Sequence, residues 1–493
     1  MQHLRGAISK SDFQEFSDHA RLVGEFSLTS NRDSSSDGFT FAPGTFVRLG
    51  QLQNRDSQGP LFPSLRRLRL VNPEEWSMSQ LPLFFTPSLQ SLEVMNVPEN
   101  QQSVLLSFLI TLVDEAPRVT SITLGPGILT IACLEACSNF QVLRHLVLKE
   151  VNISIDLSVV TAVAKLPLET LFLDDRIGYY RQDEEPLVVG FMCLKKLHIT
   201  GTLGLIRLFY KAVGSVVLED LGLTLVRSEP PTRKSLSGGK RKKLKGNSSH
   251  RVSTSSTEEI EDSVTRDLCN LLQEGSWRQT LKSVRLNHIQ DYPASDVDVW
   301  GVRIPHKPVD LPVAILNILM EHFNLEYLEI TGWTLPETPS GHKALFNDTS
   351  KSFPNLKTIC FPVGSKTSAS TICLTELPSI AESHPNLVFL QCGIESLSNF
   401  TGPLLSIETP SHGLKTLSVG NSPEAADTID WKQKINIAAF LDTLFPNLER
   451  IETQAGANSE TWECIYDLVK MCQTSRLIHA NRHSASSQAG DGK

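Results

Sequence analysis

Residues Phe62 to Leu70 read FPSLRRLRL, and the apolar spacing that closes the run, Leu65, Leu68 and Leu70, returns through almost the whole chain. In an extended strand alternate side chains point to the same face, so these leucines need an apolar layer to cover them. A single turn of about 24 to 30 residues cannot supply that layer alone, and neighbouring turns must stack to close a core.

The same spacing recurs at Leu89/Leu92/Val94, Val119/Ile122/Leu124, Leu143/Leu146/Leu148, Leu168/Leu171/Leu173, Leu194/Leu197/Ile199 and Leu218/Leu221/Leu223. After an interruption it resumes, less evenly, at Leu281/Val284/Leu286, Leu325/Leu328/Ile330, Leu356/Ile359/Phe361, Leu387/Leu390/Cys392, Leu414/Leu417/Val419 and Leu448/Ile451. Such triplets arise about a dozen times by chance at an apolar frequency of roughly 30%. The flanks are more specific. Pro63, Pro87, Pro117, Pro354, Pro385 and Pro446 each stand two residues before the first apolar position, where an average proline frequency of about 5% would place fewer than one. Proline there ends an outer helix and biases the preceding residue to extended backbone, so that the next strand can begin.

Between these strands, apolar residues at spacings of three and four predict helices over Ser103–Glu115, Ile155–Lys165, Ser263–Glu274, Leu311–Phe323, Ile435–Leu444 and Thr461–Cys472. A strand alternating with a helix at this period is the pattern of a leucine-rich-repeat solenoid of α/β class. Its parallel strands line the concave side of a curved arc, with helices on the convex side. The repeats are irregular: the position eight beyond the first leucine, where regular repeats carry asparagine, is Pro73, Val97 and Val151 in three turns.

The expected organisation is a leading helix and loop over 1–61, repeats over 62–226, an insertion over 227–262, repeats over 263–480 and a mobile tail over 481–493. Phe13, Phe16 and Ala20 place an amphipathic helix in residues 1–20, and Val23, Phe26 and Leu28 suggest a first strand. A repeat array escapes the usual length prior, so 493 residues need not mean several unrelated domains. The insertion is nearly devoid of apolar residues, which predicts disorder. Within it Lys240, Arg241, Lys242, Lys243 and Lys245 read as a nuclear import signal or an anion-binding patch, or more plainly as a solvated loop.

A net charge of −8 argues against a general nucleic-acid binder. The apolar run from Val104 to Val113 is too short to span a bilayer, and the N-terminus lacks the apolar core of a signal peptide. Cytoplasmic and nuclear locations follow from this reading, with neither nucleic acid nor membrane as partner. Nine cysteines without paired C-x-x-C spacing suit a reducing compartment, and Cys133 and Cys137, four apart among apolar neighbours, read as core rather than as metal ligands. Gly364-Ser365-Lys366-Thr367 resembles only the end of a phosphate-binding loop, because Ile359 occupies the required upstream glycine position. With no H-E-x-x-H or G-x-S-x-G run either, the chain reads as non-enzymatic, without a cofactor.

Function then falls to the strand residues that alternate with the core leucines. Those expected to face a protein partner from the concave side are Arg67, Arg69, Glu93, His145, Phe172, His198, Arg285, Tyr327, Glu329 and Phe389. Aromatics beside arginine and carboxylates are the residue mix of binding hot spots.

Asp12, Phe13, Phe16, Ala20 and Val23 also fit a D-[WF]-x-x-F-x-x-x-A-x-x-V segment, and FPSLRRLRL and LFFTPSLQSLEV (Leu83–Val94) fit two blocks that follow it. In these the sequence resembles the fungal, mushroom-type F-box/leucine-rich-repeat proteins. The resemblance implies the substrate-recognition part of an SCF-type ubiquitin ligase, whose F-box holds the Skp adaptor. The F-box block has no counterpart here, so an Skp adaptor is implied only if an F-box lies upstream. The chain is then either a truncated product or an F-box-less relative. The alternative is a leucine-rich-repeat scaffold or regulator unrelated to ubiquitin and located in the nucleus.

Overall fold

The computed structural model of the chain describes residues 8–29, 45–56, 59–73, 81–126, 129–151, 155, 157–175, 189–226, 266, 268–270, 272–289, 311, 313–322, 324–333, 353–361, 371–394, 397, 400, 412–420, 429–453 and 459–488. The chain divides into two compact units, residues 1–236 and 237–493, each described by itself.

In the first unit the strands are β1 (Glu25–Thr29), β2 (Arg67–Val71), β3 (Ser91–Met95), β4 (Ser121–Leu124), β5 (His145–Leu148), β6 (Thr170–Asp174), β7 (Lys196–Gly201) and β8 (Asp220–Val226). Each pairs in parallel with the next, which sets Leu68, Leu92, Ile122, Leu146, Leu171, Leu197 and Leu221 side by side. The sheet therefore begins at Glu25, with β1 in register with β2. Helices α1 (Lys10–Ala20), α2 (Thr45–Asp56), α3 (Gln102–Glu115), α4 (Ile131–Cys137), α5 (Leu157–Ala164) and α6 (Leu203–Ala212) connect the strands or precede them, and α3 to α6 pack in succession. α1 starts where Ser9 and Asp12 exchange side-chain and backbone hydrogen bonds, a capping box. It buries Phe13 and Ala20, and Phe16 lies edge-on to Phe62, within a ring cluster that includes Phe26 and Phe84.

The second unit repeats the arrangement with β9 (Ser283–Ile289), β10 (Tyr327–Thr331), β11 (Thr358–Cys360), β13 (Phe389–Ile394), β14 (Thr416–Gly420) and β15 (Arg450–Thr453), paired in parallel in that order. A short β12 (Thr371–Ile372) pairs with the far end of β13. The accompanying helices are α7 (Val313–His322), α8 (Leu377–Ser383), α9 (Trp431–Leu444) and α10 (Ser459–Gln488), with α9 packed on α10. Each unit is thus a leucine-rich-repeat solenoid of α/β class.

The apolar triplets named from the sequence are buried throughout: Leu65, Leu89, Val119, Leu143, Leu168, Leu194 and Leu218 have no exposed surface, nor have Leu281, Leu325 and Leu414. Burying a leucine fully is worth about 1.5–3 kcal/mol, so these rows supply the driving force for stacking. Cys133 and Cys137 are buried with them. The last turn is looser, with Ile451 only half-buried.

The prolines occupy tight turns between helix and strand. Ala116, His384 and Phe445, each just before a proline, end α3, α8 and α9 at φ near −130° and ψ near 70° (−130/67, −129/69 and −126/70). In many turns the first apolar residue of the repeat then donates its N–H back across the turn, as Leu65 does to Phe62 O and Leu448 to Phe445 O. The residue accepting this bond is itself buried, and is Phe62, Phe140, Phe191, Phe353 or Phe445 in five of the turns. At His412 the pattern changes, because its Nδ1 accepts the Leu414 N–H at 3.0 Å and its Nε2–H donates to His384 O at 2.9 Å.

Successive turns are tied by backbone. Arg66 O receives the N–H groups of both Gln90 and Ser91, Gln90 O those of Thr120 and Ser121, and the pattern continues through Thr120, Arg144, Glu169 and Lys195. Side chains add a second tie. Ser88 donates to Pro63 O and Leu65 O, Asn386 to Pro354 O and Asn447 to His412 O, while Asn355 donates to Asn324 Oδ1. Polar ladders therefore exist although position eight lacks asparagine: they sit in the turn before the strand, and Asn72 and Asn96 form a further pair at 2.6 Å just after β2 and β3.

α10 runs well beyond the Thr461–Cys472 helix expected from the sequence and continues through 481–488, where the sequence suggests a mobile tail. Ala480, Arg482 and Ala485 keep helix propensity there, and the first strong breaker is Gly490.

Candidate interaction surface

Alternation along each strand leaves one face of each sheet uncovered by the helices, and parallel register organises it into rows. In the first unit one row runs Glu25, Arg67, Ser91, Ser121, His145, Thr170, Lys196 and Asp220. The other runs Ser27, Arg69, Glu93, Thr123, Val147, Phe172, His198 and Gly222. The second unit has rows Ser283, Tyr327, Thr358, Phe389, Thr416, Arg450 and Arg285, Glu329, Cys360, Gln391, Ser418, Glu452.

Every residue proposed from the sequence for the partner face lies in these rows. Arg67 and Arg69 are exposed, and the remaining eight are half-buried. The structure brings several of them together within a unit. Arg69 Nε lies 3.3 Å from Glu93 Oε2, and Phe172 and His198 rings meet at 5.9 Å. Arg285 lies over the Tyr327 ring at 4.8 Å and reaches Glu329 Oε2 at 3.4 Å, and Tyr327 Oη donates to the same oxygen at 2.7 Å. His145 and Phe389 join none of these three clusters; the row neighbours of Phe389 are Thr358 and Thr416.

Electrostatics follow from this packing. Burial, then the hydrogen bond to Glu329, holds the Tyr327 phenol well above its ordinary range. Burial and the Glu329 carboxylate push the Cys360 thiol up to about 11, which makes it a packing group rather than a nucleophile. At the edge of the face Lys195 and Arg144 both bond Glu169 and hold its carboxyl below the usual carboxylate range.

Glu25, Asp220, Gly222 and Cys360 complete the clusters although the sequence reading does not single them out. Glu25 pairs with Arg67, and Asp220 Oδ2 lies 3.2 Å from His198 Nε2. A Cβ at Gly222 would come within 3.0 Å of the His198 ring, so glycine leaves that ring its place beside Asp220. The signal was present, since Asp220 and Gly222 stand two and four residues after Leu218, as Arg67 and Arg69 do after Leu65.

Lys240, Arg241, Lys242, Lys243 and Lys245 lie outside the described residues. Among the described residues no three His, Cys, Asp or Glu side chains gather to hold a metal ion, and no helix is long and apolar enough to cross a membrane.

No protein-family model matches the sequence, and no curated protein matches it. Solved structures similar to the chain include an internalin from Listeria monocytogenes, at 12% identity over 77% of this chain and 82% of that one, with a TM-score of 0.29. TLR13 in its complex with ssRNA13 is similar at 13% identity over 88% of this chain and 58% of that one, TM-score 0.33. The leucine-rich repeat domain of APL1B is similar at 11% identity over 84% and 89%, TM-score 0.22. These similarities concern the fold and bring no chemistry to this chain.

Proposed function

We propose that the chain is a non-catalytic protein-binding solenoid whose partner is held on the uncovered face of the sheets. The observation that carries this reading is the placement of Phe172, Tyr327 and Phe389 on that face, half-buried, where the core does not need them. Large apolar rings kept at a solvent face, beside an arginine and carboxylates, are groups that a partner can desolvate with gain. Substrate recognition for an SCF-type ubiquitin ligase is the specific role supported by the motif resemblance. The binding role itself does not depend on that resemblance, and a scaffold unrelated to ubiquitin uses the same face.

Affinity capture with quantitative mass spectrometry tests both levels. The wild-type chain is compared with Phe172→Ala/His198→Ala, with Tyr327→Ala/Phe389→Ala and with a helix-side control, Glu463→Gln, all checked for native circular dichroism. Partners retained by wild type and control but lost from a face variant are the expected result. An Skp adaptor among the retained proteins supports the ligase role. An identical partner set on every variant refutes the face as the binding site.

A further inference from the structure

Stacked turns meet at three carbonyl positions, two residues before the first leucine, on it and one residue after it. Pro63 O and Leu65 O share the Ser88 hydroxyl, and Arg66 O receives the N–H groups of Gln90 and Ser91. In the second unit Pro354 O and His412 O accept from the Asn386 and Asn447 amides, and Lys415 O receives the N–H groups of Glu449 and Arg450.

The corresponding carbonyls of the last turn are those of Pro446, Leu448 and Glu449. Among the described residues β15 pairs with β14 alone, so no strand follows to take them. Side chains of α10 take them instead. Tyr466 Oη donates to Glu449 O at 2.8 Å, Lys470 Nζ and Gln473 Nε2 to Leu448 O at 3.0 and 2.9 Å, and Arg476 Nη2 to Pro446 O at 2.9 Å. The four donors stand three or four residues apart, on one face of the helix. They are also held to one another and to α9: Lys470 lies over the Tyr466 ring and bonds Gln473 Oε1, and Arg476 reaches the Asp442 carboxylate at 3.1 Å. Beside this stripe Trp462, Ile465 and Val469 are buried. All three positions through which one turn receives the next are thus filled by a single helix face, while Ile451 of β15 stays half-buried.

We propose that α10 is a plug: it occupies the end of the second solenoid and keeps β15 from receiving a turn of a second copy of this chain. The occupant follows from the groups concerned. In the turns described above these carbonyls are bound by another turn of the same solenoid, largely through main-chain N–H groups, which every copy of the chain presents. The Arg450 N–H points back to Lys415 O, so alternation sends the N–H groups of Ile451 and Thr453 to the outer edge of the sheet. A strand edge of this kind, once uncovered, is a template for pairing with another chain. The plug acts whether or not the uncovered face holds a partner.

The test compares the whole wild-type chain with Tyr466→Phe/Gln473→Ala/Arg476→Ala and with Glu463→Gln, which lies on the exposed side of the same helix. Hydrogen exchange over residues 446–453, followed by mass spectrometry, should be about 10-fold faster in the triple variant and unchanged in the control. Sedimentation velocity over a range of concentrations should show the triple variant self-associating where wild type and control keep one mass. Tyr466→Phe alone deletes a single hydroxyl and should shift both measurements in the same direction by less, which keeps the test valid if the triple variant unfolds. Adding Thr453→Pro removes an outward N–H at the end of β15 and should abolish the self-association. Unchanged exchange, or a variant that exchanges faster yet keeps one mass at every concentration, overturns the proposal. So does self-association that survives Thr453→Pro, or a wild-type chain that associates as strongly as the variant.

Discussion

Mild acid should destabilise the second unit through a buried histidine pair. His384 is 2% exposed, and burial holds its imidazole down to about 4 from an ordinary 6.5; the neighbouring His412 adds to the shift, and a hydrogen bond to the Phe353 backbone opposes it. His412 is shifted down as well, again chiefly by burial. Its Nδ1 accepts the Leu414 N–H, so a proton placed there would set two donors against each other. The folded chain thus favours neutral imidazoles, while the unfolded chain takes up protons normally, and stability present above pH 6.5 is lost as pH falls toward 4. With about 1.4 kcal/mol per pKa unit, His384 alone removes about 2 kcal/mol at pH 5 and about 3 kcal/mol below pH 4. Five of the six tryptophans, Trp277, Trp300, Trp333, Trp431 and Trp462, lie in residues 237–493, so their fluorescence reports this unit during urea unfolding. His384→Phe puts into this turn the residue that Phe62, Phe140, Phe191, Phe353 and Phe445 supply in others. It should lose about 2 kcal/mol less than wild type between pH 7.5 and 5. An equal acid loss in both proteins would refute the argument.

Three further outcomes follow from the packing. Leu146→Ala, at a fully buried position in the central row, should cost about 2–5 kcal/mol in urea unfolding. Gly332→Ala should lower the melting temperature sharply: Gly332 has φ of +72°, and a Cβ there would overlap the His288 carbonyl oxygen. Ser88→Ala removes the one hydroxyl proton shared between Pro63 O and Leu65 O of the preceding turn, and should cost about 1 kcal/mol by the same unfolding measurement.

The repeat was legible because its determinants are local. Leu65, Leu68 and Leu70 announce a strand with one buried face, and Pro63 announces the turn before it. The paired charges were not legible in the same way, because Arg69 and Glu93 are 24 residues apart and meet only once the register is known. The polar ladders were missed for a related reason. Regular repeats carry their asparagine after the strand, whereas here Ser88, Asn355, Asn386 and Asn447 stand immediately before the first leucine, in P-S-L and P-N-L runs that are plain once the turn geometry is known. The length of α10 was not legible because its sequence after Ile478 shows little apolar periodicity to read.

The carbonyls of Arg66, Gln90, Thr120, Arg144, Glu169 and Lys195 each bind the next turn through two main-chain N–H groups. Cohesion between turns at this point is therefore indifferent to the side chain and forbids only proline at the donor positions. The uncovered face can consequently be rewritten one turn at a time, an arginine here and a phenylalanine there, without renegotiating how the turns adhere.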